Sequence, residues 1–144
     1  MRNLIKTLTI ISFLIFNISC AQTIMRKVAD AKKLEINKKE FIGKPLSYLL
    51  KTINPRIVSV IPTPNKNFAQ INTISFLFVS FNDYRRNFNN NNQNTKITIR
   101  FNQNWDLIGE KCKSDILKCT EWTKEDEKNL GDLVVYDIYV TGKD

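Results

Sequence analysis

The stretch Lys44–Pro62, KPLSYLLKTINPRIVSVIP, places a helix directly before a β-strand and decides the fold class. Pro45 suits the first position of a helix, where no backbone N–H is required. Four apolar residues then follow at helical spacing: Leu46, Leu49, Leu50 and Ile53. Asn54-Pro55 is expected to end the helix, because the residue before a proline avoids helical geometry. The β-branched run Arg56–Ile61, bounded by prolines, predicts the first strand.

Two later stretches predict further strands. Ile71–Phe81 is almost continuously apolar, which is typical of a strand covered on both faces. Thr95–Phe101, TKITIRF, alternates between polar and apolar residues, as a half-buried strand does. Its core-facing residues are expected to be Ile97, Ile99 and Phe101. A turn at residues 102–104 and a return strand from Trp105 are expected next.

The C-terminal part predicts a short helix and a last strand. Thr123 is a suitable N-cap, and the acidic residues of the first turn suit the positive end of the helix dipole. Gly131 is expected to stop this helix. Asp132–Thr141, DLVVYDIYVT, predicts the last strand. Strict alternation would group Val134, Tyr136, Ile138 and Val140 on one face, and Val135, Asp137 and Tyr139 on the other.

An asparagine-rich tract, Asn82–Asn94, separates two of these strands. Its low complexity predicts a long, mobile hairpin loop. Arg85 and Arg86 lie at the rim of that loop, and their guanidinium groups suit a carboxylate or a phosphate. We therefore expect Arg85 and Arg86 to be partner-binding residues.

Together these elements predict one α+β domain over residues 37–144. Its N-terminal helix would pack on a four- to five-stranded antiparallel sheet, with a short helix before the last strand. Residues 22–36 are polar and rich in lysine. They predict a tether that is at most partly helical.

Residues 1–21 predict a cleavable secretion signal. Arg2 and Lys6 form a basic start, Leu8–Ile18 is a mostly apolar run, and small residues follow. The apolar run is shorter than the about 20 residues that a membrane span requires. The mature protein is therefore expected outside the cytoplasm, in the cell envelope.

Two forms of processing are compatible with the end of this signal. Residues 17–20, Asn-Ile-Ser-Cys, resemble a bacterial lipobox, in which Cys20 would carry lipid and become the new N-terminus. Cleavage after Ala21 by an ordinary signal peptidase would instead leave Gln22 first. The first alternative predicts an outer-membrane-anchored lipoprotein, and the second a periplasmic protein.

A helix followed by strand hairpins behind a lipobox resembles the small lipoproteins of the outer-membrane barrel-assembly machinery and related inhibitor-like α+β folds. Gly43-Lys44-Pro45 matches the Gly-x-Pro motif of those families, although they carry this motif after their first helices and this chain carries it before the helix. The resemblance implies a binding role without catalysis.

Cys112 and Cys119 predict a disulfide bond. Once Cys20 is lipidated or removed, they are the two remaining cysteines of an exported chain. Residues seven apart lie roughly 10 Å apart along a helix, whereas a disulfide needs Cα atoms within about 7 Å. A bridge would therefore exclude one straight helix there. Two thiols without histidine do not complete a zinc site, so no metal is predicted.

The composition gives no support to catalysis or to a cofactor. Histidine is absent, which excludes Ser-His and Cys-His nucleophile pairs, and four glycines provide no phosphate-binding loop. The carboxylates after Thr123 are explained by the helix dipole. No catalytic residue and no cofactor are therefore predicted. No nucleic acid partner is predicted either, because the aromatic residues Phe76, Phe78 and Phe81 lie in the most apolar strand, where they are expected to be core residues and not a stacking platform for bases.

The net charge of +8 is unevenly distributed. Residues 26–100 hold 14 basic and 4 acidic side chains, whereas residues 101–144 hold 6 basic and 10 acidic ones. Two interpretations remain open: a docking face for an acidic partner, or a lysine-rich surface that serves solubility.

The sequence therefore predicts a non-catalytic envelope protein that binds another protein with an acidic surface, and that meets the membrane through a lipid anchor. The alternative is a periplasmic protein that binds a small ligand or a glycan in the cleft between sheet and helix, with Trp105 or Trp122 as a platform. A carboxylate-based hydrolase is the third and last class.

Overall fold

The computed structural model describes residues 23–64, 70–90, 92–106 and 120–142. The strands are β1 (Ser59–Pro64), β2 (Gln70–Leu77), β3 (Lys96–Asp106) and β4 (Val135–Thr141). The helices are α1 (Lys32–Ile36), α2 (Leu46–Leu50), α3 (Phe81–Asn89) and α4 (Lys124–Leu130), with 3-10 turns at Val28–Asp30 and Lys38–Glu40. The strands form one antiparallel sheet in the order β1-β2-β3-β4. The prediction of an α+β fold with a four- to five-stranded antiparallel sheet is confirmed.

Two rows of apolar residues run across all four strands and form one face of the core. The first row is Val60, Phe76, Ile97 and Val140, and the second is Pro62, Ile74, Ile99 and Ile138. The alternation predicted for β3 is confirmed, since Ile97, Ile99 and Phe101 are all buried. These side chains form a single cluster with the buried residues of the helical layer.

Helix α2 covers part of this face. Leu46, Leu49 and Leu50 are buried, as their spacing predicts. The helix is shorter than predicted, because it ends at Leu50, and Ile53 instead forms an isolated β-bridge with Met25. Backbone bonds from Leu46 N to Leu133 O (2.8 Å) and from Ser47 N to Gly131 O (2.9 Å) attach its first turn to the segment before β4.

The prediction of a tether over residues 22–36 is wrong where the structure describes it. Met25, Ala31 and Leu34 are buried in the main core, and α1 packs against β4. The backbone N–H groups of Ile24 and Met25 both donate to the carbonyl of Thr52. These residues are thus part of the packed domain, because their few apolar side chains cover the part of the sheet's apolar face that α2 does not cover.

The asparagine-rich segment also differs from its prediction, because residues 81–89 form α3 instead of a mobile loop. Ser80 is the N-cap, and its Oγ accepts from the Asp83 N–H at 3.1 Å. Ser80 Oγ also donates to the Asp83 carboxylate at 2.7 Å. Arg86 donates to the same carboxylate at 2.7 Å. This local network starts the helix in spite of the low complexity of its sequence.

Strands β1, β2 and β3 end at other residues than predicted. Strand β2 ends at Leu77 and not at Phe81, because Ser80 caps α3 and Phe81 is the first residue of that helix. Strand β1 continues through Pro62 because it is an edge strand of the sheet, where a missing N–H is tolerated. Strand β3 continues through residues 102–104, so the turn and the return strand from Trp105 predicted there are wrong. Trp105 instead pairs with Ile71 of the neighbouring strand.

Strand β4 contains a bulge that changes which residues face the core. The adjacent residues Arg100 and Phe101 of β3 pair with Asp137 and Val135. Tyr136 is therefore the additional residue on β4, and its side chain is 52% exposed. Val135 takes its place on the core face beside Ile138, so the predicted grouping of Tyr136 with Ile138 is wrong.

The predicted cap of α4 is confirmed. Thr123 Oγ1 accepts from the Asp126 N–H at 3.2 Å, and the Asp126 carboxylate accepts from the Thr123 N–H at 2.9 Å. The helix ends before Gly131, as predicted. The secretion signal, Cys20, and the predicted Cys112–Cys119 bridge lie outside the described residues and stay predictions.

Leu49→Ala should lower the free energy of unfolding by about 2–5 kcal/mol, because it leaves a cavity beneath the sheet. Ile36→Ala is the matched control, since that side chain is 74% exposed and its truncation should cost no more than about 0.5 kcal/mol. Urea denaturation of both variants measures the difference. Equal midpoints would contradict the packing of α2 on the sheet.

Candidate functional site

Helix α3 presents an uncovered aromatic and basic surface. Tyr84 and Phe88 are one helical turn apart, with ring centroids 6.3 Å apart. Arg85 is three residues before Phe88, so it lies beside the same ring. No residue of α3 is fully buried, and the Phe88 side chain is 55% exposed. We refer to Tyr84, Arg85 and Phe88 as the α3 surface.

The two arginines predicted to bind a partner differ in their surroundings. Both are exposed on α3 rather than at the rim of a loop. Arg86 is paired with Asp83, whose carboxylate also accepts from the N-cap residue Ser80, so the Arg86 guanidinium is already engaged. Within the part of the chain that the structure describes, no ion pair is found for Arg85. Asp83 is the one acidic residue of α3, and it is paired with Arg86. The α3 surface therefore keeps the positive charge of Arg85 next to two aromatic rings.

The sequence did not reveal Phe88 as a functional candidate, although a signal was present. Ser80-x-x-Asp83 is a helix-capping pattern, and Tyr84 and Phe88 have the spacing of neighbours on one helix face. The surrounding asparagines concealed this pattern, because asparagine is a weak helix former.

A cleft of about 840 Å³ forms a second candidate site, next to Trp122. Its walls come from three segments that are distant in sequence: residues 53–59, the start of α3 at residues 80–82, and residues 120–127. The Trp122 ring packs edge-on against Phe76, with centroids 4.9 Å apart and an interplanar angle of 70°. Its backbone N–H donates to Val58 O at 3.4 Å. This packing leaves the indole half-buried, with part of it in the cleft.

The cleft is lined by both apolar and polar residues. Ile53, Ile57 and Trp122 provide apolar surface. The polar side chains at its walls include Arg56, Lys124, Glu121, Glu127, Asn54 and Asn82. Charges of both signs suit a neutral polar or zwitterionic ligand better than a strongly charged one. Of the two predicted aromatic platforms, Trp122 lines this cleft, whereas Trp105 lies on β3 opposite Ile71.

A cluster of polar side chains joins the N-terminal segment to β4. Lys38 Nζ donates to Asp137 Oδ1 at 2.8 Å and lies 5.3 Å from the centre of the Tyr139 ring. Burial alone would raise the pKa of Asp137, but hydrogen bonds from Lys38 and Tyr139 outweigh it and lower that pKa. The bond to Asp137 raises the pKa of Lys38 and of Tyr139. The raised pKa keeps the Tyr139 hydroxyl protonated as a hydrogen-bond donor to Asp137. The Lys38–Asp137 bond links the N-terminal segment to β4.

Metal and membrane-spanning features are not found among the residues described above. Across residues 23–64, 70–90, 92–106 and 120–142, no three ligand-type side chains are grouped to hold a metal ion. In the same ranges, no helix has the length and apolar character needed to cross a bilayer.

Comparison with known proteins gives no relative. No protein-family model matches the chain, and no curated protein and no solved structure resembles it closely enough to count as a match. The resemblance to barrel-assembly lipoproteins therefore stays a prediction.

Asp137→Asn should reduce the acid sensitivity of the protein. A carboxyl whose pKa is lowered by folding contributes stability above its ordinary pKa of 3.8, and this contribution is lost as the pH falls through the lower, folded value. The variant should therefore lose less stability than the parent protein when the pH falls below about 4. Melting temperatures measured across this range test the expectation.

Lys38→Met should have the same effect as Asp137→Asn, because it removes the other partner of the bond. Lys39→Met, an exposed neighbour, is the control and should follow the parent protein. Parallel curves for all four proteins would contradict the role given to this ion pair.

Proposed function

We propose that this chain is an exported, non-catalytic envelope protein, lipid-anchored at Cys20, that binds a protein with an acidic surface. The α3 surface is the proposed contact. The observation that carries the proposal is Phe88, an aromatic residue 55% exposed on a helix that buries none of its residues fully.

The residue types of the α3 surface support binding to a protein. Aromatic and arginine side chains are enriched among the residues that dominate interface energetics. Each brings a large contact area, and Phe88 would lose its unfavourable exposure to water in a complex. The Ser80 cap and the Asp83–Arg86 pair fix the helix, so little ordering is needed when a partner binds.

Charge supports an acidic partner. Arg85 lies beside Phe88 and is not used in an ion pair within the described part of the chain. A carboxylate of the partner would form a two-bond contact with its guanidinium while an apolar pocket receives Phe88. Residues 26–100 carry most of the basic charge of the chain, which would speed the encounter at low salt.

Placing a photo-reactive amino acid at position 88 in the full chain tests this proposal in cells. Illumination should yield one dominant covalent adduct with an acidic envelope protein, identified by mass spectrometry. The same amino acid at position 36 is the control, since Ile36 is even more exposed and lies on α1. Arg85→Glu should reduce the adduct severalfold, whereas Arg100→Glu, a reversal at another exposed arginine, should not.

Equal adducts at positions 36 and 88, or an adduct that is indifferent to Arg85→Glu, would contradict the proposal. A sugar-dependent change in the fluorescence of Trp122 without any adduct at position 88 would instead favour the second candidate function. That candidate is the binding of a small polar ligand or glycan in the 840 Å³ cleft, and it is favoured by the half-buried indole on the cleft wall.

A further inference from the structure

We propose that the folded domain lies directly against a membrane surface rich in acidic phospholipid. Arg26, Lys27, Lys51 and Arg56 would face the head groups, and these four side chains are called the Met25 face below. The inference rests on the proposed lipid anchor at Cys20, and it adds where the domain lies and what it touches.

The first step is the fixed position of Met25. Its side chain is fully buried in the core. Its backbone N–H donates to Thr52 O at 3.0 Å, and its carbonyl accepts from the Asn54 N–H at 2.9 Å. Met25 and Ile53 also form a parallel β-bridge. The packed domain therefore begins at Met25, and not at residue 37 as the sequence predicts.

The second step is the short reach between anchor and domain. From Cys20 to Met25 the chain advances five residues, which span at most about 18 Å when fully extended. A tether that continued through residue 36 would reach roughly three times as far. A lipid on Cys20 would therefore hold Met25 within about 18 Å of the membrane surface.

The third step is the charge that surrounds Met25. Arg26 and Lys27 follow Met25 directly in the chain. Lys51 precedes Thr52, whose carbonyl accepts the hydrogen bond from the Met25 N–H. Arg56 follows two residues after Asn54, which donates to Met25. All four side chains are exposed, and no ion pair is found for them in the described ranges. In contrast, Lys33 is paired with Asp30.

The fourth step is the match between this charge and the lipid surface. The field of an acidic bilayer decays over a screening length of about 10 Å at 0.1 M salt. The reach from Cys20 is at most about two screening lengths, so the anchored domain can settle with the Met25 face inside that field. Each cation near an acidic bilayer strengthens attraction about fivefold, so four of them act together. The α3 surface is the better candidate for binding a protein, because it combines a cation with two aromatic rings, whereas the four side chains of the Met25 face are all cations.

The full chain, lipidated in cells and transferred to vesicles, provides the test. A water-soluble amine reagent labels exposed lysines, and mass spectrometry measures the labelling of Lys27, Lys51 and Lys39. Lys39 is the internal control, because its neighbour Lys38 contacts β4, at the opposite sheet edge from β1. On vesicles of phosphatidylethanolamine and phosphatidylglycerol, Lys27 and Lys51 should be protected severalfold relative to detergent, and Lys39 should not.

A double variant separates charge from tether length. Arg26→Gln with Arg56→Gln removes two cations and should weaken the attraction about 25-fold, so protection of Lys27 and Lys51 should fall. Arg85→Gln with Arg100→Gln removes the same charge elsewhere and should leave that protection in place. High salt should abolish the protection in the parent protein, because it screens the field.

The possible failures can be told apart. An N-terminal peptide without lipid on Cys20 would overturn the anchor and the inference together. Lipid on Cys20 with equal labelling of Lys27, Lys51 and Lys39 would overturn the inference alone. Equal protection on vesicles of phosphatidylcholine would also overturn it, since the acidic head group would then have no part in the contact.

Discussion

The arrangement of this domain depends on covering one apolar face of a single four-stranded sheet. The face is built from rows that include Phe76, Ile97 and Ile99, and leaving it in water would cost about 25 cal/mol for each Å² exposed. Helix α2 is only five residues long and contributes three buried leucines. The segment from Met25 to Phe41 completes the cover, so residues that read as a tether become part of the core.

The same constraint fixes where function can be located. Because α1, α2 and Met25 occupy the core face, partners must bind elsewhere, and the candidate surfaces within the described residues include α3, the Trp122 cleft and the Met25 face. Under the proposed lipid anchor, the Met25 face is directed towards the membrane by its short link to Cys20. The α3 surface follows β2 on the chain and is fixed by its own cap, so it can bind a protein independently of the anchor.

Local signals in the sequence were sufficient for several elements. The alternation of TKITIRF, the leucine spacing of α2 and the Thr123 cap each depend on residues within one short window, and each is confirmed. Contacts between distant residues could not be predicted. The burial of Met25 depends on Thr52 and Asn54, and the place of Pro62 in a strand depends on β1 being an edge. The bulge at Tyr136 depends on the register between β3 and β4.

The candidate sites show the same division. Arg85 and Arg86 were predicted as contacts, but the low complexity of the segment concealed the helix that places Arg85 beside Phe88. Trp122 was predicted as a platform, but the cleft has walls from three distant segments that no single window of sequence could combine. The sequence pointed to these residues as candidates, but it did not indicate which side chains would lie close together.

Amide hydrogen exchange at Met25 and Asn54 in the intact protein tests the central claim most directly, namely that the N-terminal segment is part of the core. Because both amides lie in the backbone bonds that join this segment to the chain after α2, they should exchange as slowly as the amides of β3, through unfolding of the whole domain. Exchange of Met25 and Asn54 at the rate of an unstructured peptide, while the β3 amides stay protected, would contradict the account.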